Sequence, residues 1–95
     1  MAKVILSGYI EVPVEDLSAV RKELPGHIEA TLAEKGCVVF EVAEVRGSPG
    51  RFTVYEEFSN RVAFEHHQQR VATSTWGKVA ARATRHYSIS EGGSD

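Results

Sequence analysis

Imidazole is the side chain most easily tuned for proton transfer near neutral pH, and the 95-residue chain carries four, His27, His66, His67 and His86. His67 lies three residues after Phe64 and four before Val71. At helical spacing the three share one stripe, and the imidazole points toward the core or into a cavity between helix and sheet. His66, about 100° further round, faces solvent. His67 therefore has two readings, a buried histidine hydrogen-bonded to backbone or a group that contacts a ligand and moves a proton. His27 and His86 have no recognisable partner in the sequence and read as structural or surface groups. Glu56 and Glu57 alternate to opposite faces of a strand, so they cannot act as a neighbouring carboxylate pair. Glu56 shares the apolar face of Val54 and Phe58, where an acid is costly unless paired, and an arginine is the expected partner.

Other chemistries lack their residues. No pair of histidines four apart and no repeated Glu-x-x-His pattern occurs, so no metal site is expected. The glycines form neither Gly-x-Gly-x-x-Gly nor a Gly-Lys-Ser/Thr run, and no nucleotide cofactor is indicated. None of the serines sits in a Gly-x-Ser-x-Gly turn. Cys37, the single cysteine, has no partner for a disulfide within the chain and reads as a small buried strand residue. Trp76 heads a helical stripe, as a core residue or as a wall for a ligand.

These groups need elements to hold them. Lys3 to Val12 is rich in β-branched and aliphatic residues, with Val4, Leu6, Ile10 and Val12 on one face and Ile5 and Tyr9 on the other, which predicts a first strand. Pro13 ends it. Glu15 and Asp16 suit a helix N-terminus, and Leu17, Val20, Leu24, Ile28, Thr31 and Leu32 predict a helix from Glu15 to Lys35 that Pro25 kinks or breaks and Gly36 stops. Cys37 to Arg46 alternates Val38, Phe40 and Val42 against Val39, Ala43 and Val45, and Arg51 to Phe58 alternates likewise around a Gly47-Ser48-Pro49-Gly50 turn. Ser59 or Asn60 caps a second helix, broken around Ala72 to Ser74 and ending near Thr84. Arg85 to Ser90 is the last strand, and residues 91–95 form a tail expected to be disordered.

The order β-α-β-β-α-β predicts an α+β class, ferredoxin-like domain over residues 1–90, with a four-stranded antiparallel sheet and both helices on one face. The other face carries Ile5, Tyr9, Val39, Ala43 and Val45, and a homodimer through this sheet face would cover it. A net charge of −2 with scattered basic residues argues against nucleic acid as a partner. No stretch approaches the roughly 20 apolar residues of a membrane span, and a cytoplasmic location is expected.

The stretch from Val54 to Gln69 places an acid, one residue and an aromatic (Glu56, Glu57, Phe58) before Ala63-Phe64-x-x-His67. It resembles the antibiotic biosynthesis monooxygenase family. Leu24-Pro25-Gly26-His27-Ile28, then Glu34-Lys35-Gly36-Cys37 before a valine-rich strand, fits the same family's passage from helix to strand. The resemblance implies a dimeric α+β barrel with a pocket in each subunit, and oxidation of small aromatic quinols or phenols by O2 with no metal, flavin or haem. His67 matches the family histidine and becomes the candidate proton acceptor, with Trp76, Tyr55, Phe40 and Phe64 as candidate pocket walls. Ser7 and Tyr9 stand where the haem-degrading branch has its asparagine, which points away from haem breakdown. The alternative is a non-catalytic dimeric module of the same fold that binds a small molecule or assembles.

Overall fold

Apolar alternation sends Val4, Leu6 and Ile10 of β1 (Val4–Glu11) to the same side as Phe58, Glu56 and Phe52 of β3 (Arg51–Phe58), their direct partners across the sheet, and Val54, which pairs with Gly8. The computed structural model describes residues 2–92. The remaining elements are α1 (Val14–Leu32), β2 (Cys37–Glu44), α2 (Arg61–Ala72), α3 (Thr75–Val79) and β4 (Thr84–Glu91). The four strands are antiparallel neighbours in the order β2-β3-β1-β4, the ferredoxin-like arrangement. Leu17 and Val20 of α1, Phe64 of α2 and Trp76 of α3 close over the same sheet face and join its buried residues in one core. Phe58 is fully buried and meets Phe64 edge-on at 5.8 Å. An aromatic pair of this kind adds about 1 kcal/mol to the area it buries.

Several local features differ from the sequence expectation, each for a physical reason. Helix α1 runs unbroken through Pro25. The carbonyl that proline deprives of a donor belongs to Arg21, and Arg21, Pro25 and Gly26 all lie on the exposed side, where that carbonyl is open to solvent. The helix also stops at Leu32, before Gly36. Gly36 is required for contact: a Cβ there would come within 2.2 Å of Ala63 Cβ, so β2 starts tightly against α2. In β2 the register slips between Cys37 and Val39, leaving Val38 as a bulged residue that is 49% exposed. Cys37, opposite Phe58, takes the core position instead. Asn60 caps α2 through Ala63 N–H at 2.8 Å, and Ser74 caps α3, which ends at Val79, short of Thr84. Glu91, assigned to the tail by the sequence, pairs with Val4 in β4; residues 93–95 lie outside the described residues.

The outer sheet face is more polar than its apolar residues suggest. Ile5 lies between Glu57 and Ser90, Tyr9 between Thr53 and His86, and Val39 opposite Glu57. Tyr9 stacks on His86 at 4.5 Å, and the Arg51 guanidinium lies over the Tyr9 ring.

Gly8 sits at the centre of β1 with φ +155°, and a Cβ there would lie 1.9 Å from the His86 carbonyl oxygen. That clash is with backbone, so only the β1–β4 ladder can yield. Gly8→Ala is expected to cost more than about 2 kcal/mol in denaturant unfolding. A wild-type midpoint would show that the ladder accommodates the methyl group.

Candidate functional site

A buried chain of acids and histidine crosses the space between the helices and the sheet. His67 reaches it because α2 continues past Phe64 with the same face inward, leaving His67 2% exposed. Its Nδ1 lies 3.1 Å from both carboxylate oxygens of Glu34, which follows the end of α1. A carboxylate only accepts, so Nδ1 carries the proton and donates it to Glu34. Arg70, one turn after His67, donates from Nε to the same Glu34 carboxylate and from Nη2 to Thr31 Oγ1 at 2.9 Å, while the Thr31 hydroxyl donates to the His27 carbonyl at 2.8 Å. The His67 tautomer is thereby fixed with a lone pair on Nε2. Burial pushes the His67 pKa down, partly offset by Glu34, so the ring is neutral near pH 7.

Nε2 faces Glu56 Oε1 at 3.9 Å. Glu56 is 6% exposed on the apolar face of β3, between Leu6 and Phe40 on the neighbouring strands, and its Oε1 has no hydrogen-bond partner. The expected arginine partner is not there; a histidine occupies that side. Burial first, and the Glu34 charge second, push the Glu56 pKa from 4.5 to about 7.

These groups line a cavity of about 110 Å³ together with Phe40, Trp76, His27, Arg85 and Tyr87. Of the residues singled out from sequence, His67, Phe40 and Trp76 meet here. Tyr55 does not: it stands on the outer sheet face, where its hydroxyl donates to Glu57. Phe64 does not line the cavity either, being spent in the core against Phe58. His27, read as structural or surface, is 8% exposed and stacks flat on Trp76, with ring centres 4.6 Å apart. Its Nδ1 is unpartnered, and burial above all pushes its pKa down to about 4. The signal for His27 was present, because Leu17, Val20, Leu24, His27 and Thr31 repeat at spacings of three, four, three and four. Glu34 and Arg70 gave none, since their partners lie on other elements.

Arg85 of β4 donates to the Ala83 and Ala80 carbonyls and so ties β4 to the end of α3. A wider depression of about 460 Å³ lies over Gly36, Asn60 and Val62 and touches Glu34 from the other side. It is open and reaches neither His67 nor Glu56. Among the described residues no group of three or more acids, histidines or cysteines is arranged to hold a metal ion.

A ferredoxin-like α+β domain whose helix-covered sheet face holds a small cavity with a buried acid–histidine pair is the class that fold and site define. The sequence pattern of the antibiotic biosynthesis monooxygenase family matches residues 3–78. The chain belongs to that family. A provisionally named antibiotic biosynthesis monooxygenase from Nitrosomonas europaea superposes with a TM-score of 0.73 at 21% identity, over 98% of this chain and 97% of its own. A conserved protein of unknown function from Bacteroides thetaiotaomicron gives 0.72 at 15% identity, over 95% and 97%. Another antibiotic biosynthesis monooxygenase gives 0.67 at 22%, over 96% and 95%. No curated protein sequence matches the chain. No helix among the described residues is long and apolar enough to cross a membrane.

The raised Glu56 pKa makes a stability prediction with a definite sign. In the fold the carboxyl holds its proton more tightly than in the unfolded chain, so its contribution is full below about pH 4.5 and is lost as pH rises through about 7. Glu56→Gln removes that loss. The variant is expected to be more stable than wild type at about pH 8, by roughly 1–3 kcal/mol, with the difference shrinking toward pH 5. Urea unfolding at the two pH values checks it; a variant less stable at both would mean the carboxylate is paired.

Proposed function

We propose that the protein is a cofactor-independent monooxygenase, using neither metal, flavin nor haem, that oxidises a small aromatic quinol or phenol with O2. The observation that carries this reading is the orientation of His67. Its Nδ1–H is held by Glu34, Glu34 is held by Arg70, and the free lone pair on Nε2 looks into a cavity walled by Phe40 and Trp76. Such an imidazole takes a hydroxyl proton as the substrate enters, and Glu34 stabilises the imidazolium that forms. The resulting electron-rich anion reduces O2 directly. The aromatic walls orient it.

The cavity volume favours a second reading. About 110 Å³ is less than the roughly 150 Å³ that accommodates benzene, which suits a non-catalytic module. A ring enters if the His27–Trp76 stack moves, because both residues also wall a neighbouring cavity of about 160 Å³. The oxygenase reading thus requires this wall to open.

The protein is proposed to work as a homodimer through the outer sheet face, where Ile5, Val39 and Tyr9 remain only half-buried. Val39→Asp should shift the mass at micromolar concentration toward the monomer. A wild-type monomer in light scattering would remove the dimer.

Oxygen consumption tests the chemistry. With a reduced naphthoquinone or an anthrone, and against the same substrate autoxidising in buffer, wild type should consume O2 without additions. His67→Ala should slow this by about 100-fold or more, whereas His66→Ala, on the exposed side of α2, should not. If wild type matches buffer across such substrates, the binding-module reading takes its place.

A further inference from the structure

Glu56 has no structural reason to be an acid. Its cross-strand neighbours are Leu6 and Phe40, its Oε1 is buried without a partner, and an unpaired buried carboxylate weakens a fold. The gap of 3.9 Å to His67 Nε2 is too long for a hydrogen bond and too short to hold a bridging water, so a side-chain shift of about 1 Å joins the two atoms directly. We propose that Glu56 is the proton store of the site, exchanging one proton with His67 Nε2. It touches the reaction only through His67 and is in that sense a positioning residue.

This use of the store rests on the oxidation proposed above. The substrate hydroxyl proton passes to His67 Nε2 and on to the Glu56 carboxylate, leaving a substrate anion and a neutral imidazole. The anion gives one electron to O2, and the two radicals join in a carbon–oxygen bond as a peroxide anion. Glu56 returns the proton through His67 to the outer peroxide oxygen. The hydroperoxide then loses water as its C–H and O–O bonds break and a carbonyl forms, so one O2 gives one carbonyl oxygen and one water. Without a store the proton would sit on an imidazolium between two carboxylates.

The groups facing Glu56 are Glu34 after α1, His27 on α1, His67 on α2, Cys37 on β2, and Arg85 and Tyr87 on β4. Burial first, and the Glu34 charge second, favour the protonated acid. The carboxylate form needed to receive a proton is therefore gained as pH rises through about 7.

Two measurements test the store, one independent of turnover. In substrate-free protein with ¹⁵N-labelled histidine, assigned by comparison with His67→Ala, the His67 Nε2 resonance should move with a midpoint near pH 7. Glu56→Gln should abolish that movement. In turnover, Glu56→Gln should lower kcat at least about tenfold with little change in KM and flatten the acid limb of the pH profile. A midpoint that persists in Glu56→Gln, or no wild-type movement near neutrality, overturns the store, and does so even if O2 consumption is intact. The reverse result, a step lost in Glu56→Gln with no O2 consumption by wild type, keeps the Glu56–His67 exchange and removes the oxygenase.

Discussion

Placing a carboxylate under a helix end, away from water, is unfavourable unless donors meet it from more than one side, and the packing of this molecule is organised around meeting Glu34. Arg70 and His67 approach it from α2, one turn apart. Arg70 also reaches Thr31 within α1, so these side chains tie α2 to the end of α1. With α2 so placed, Phe64 falls against Phe58 and His67 falls beside Glu56. Removing Glu34 would leave an arginine and a histidine donor facing each other in a half-buried space, which costs more than the loss of a surface ion pair.

The same arrangement divides labour between two acids. Glu34 is held by a guanidinium and an imidazole N–H and serves as a fixed anion. Glu56, facing the opposite ring nitrogen with no donor of its own, sits where gaining or losing a proton costs little near neutral pH. One imidazole held at Nδ1 by a tied carboxylate is left to exchange a proton at Nε2 with the untied one.

Much of the fold was legible because period-two alternation in β1 and β3 and the turn at Gly47 to Gly50 are local signals, and the same alternation put Glu56 on the buried face. What was not legible depended on partners distant in sequence. Pro25 reads as a helix breaker, yet it lies on the side where the freed carbonyl is open to solvent. Val38 continues an alternating run, yet a register slip moves Cys37 into its place. Expecting a break at Pro25 also hid His27, whose spacing from Leu17 and Val20 is helical throughout. Tyr55 was put on the cavity side despite its own alternation with Val54 and Glu56. The partners of Glu56 and His67 are fixed by how α1, α2 and β3 meet, and no sequence spacing encodes that.

The stacking of His27 on Trp76 gives the molecule an optical property. Trp76 is the only tryptophan, so all indole emission comes from one ring lying face to face with an imidazole at the cavity wall. A neutral imidazole leaves an excited indole largely undisturbed, whereas an imidazolium accepts its electron and quenches it. Fluorescence therefore reads the charge on His27 and the integrity of the stack in the native chain, with no label attached. A molecule that parts the two rings to enter the cavity announces itself in the lifetime and colour of that emission.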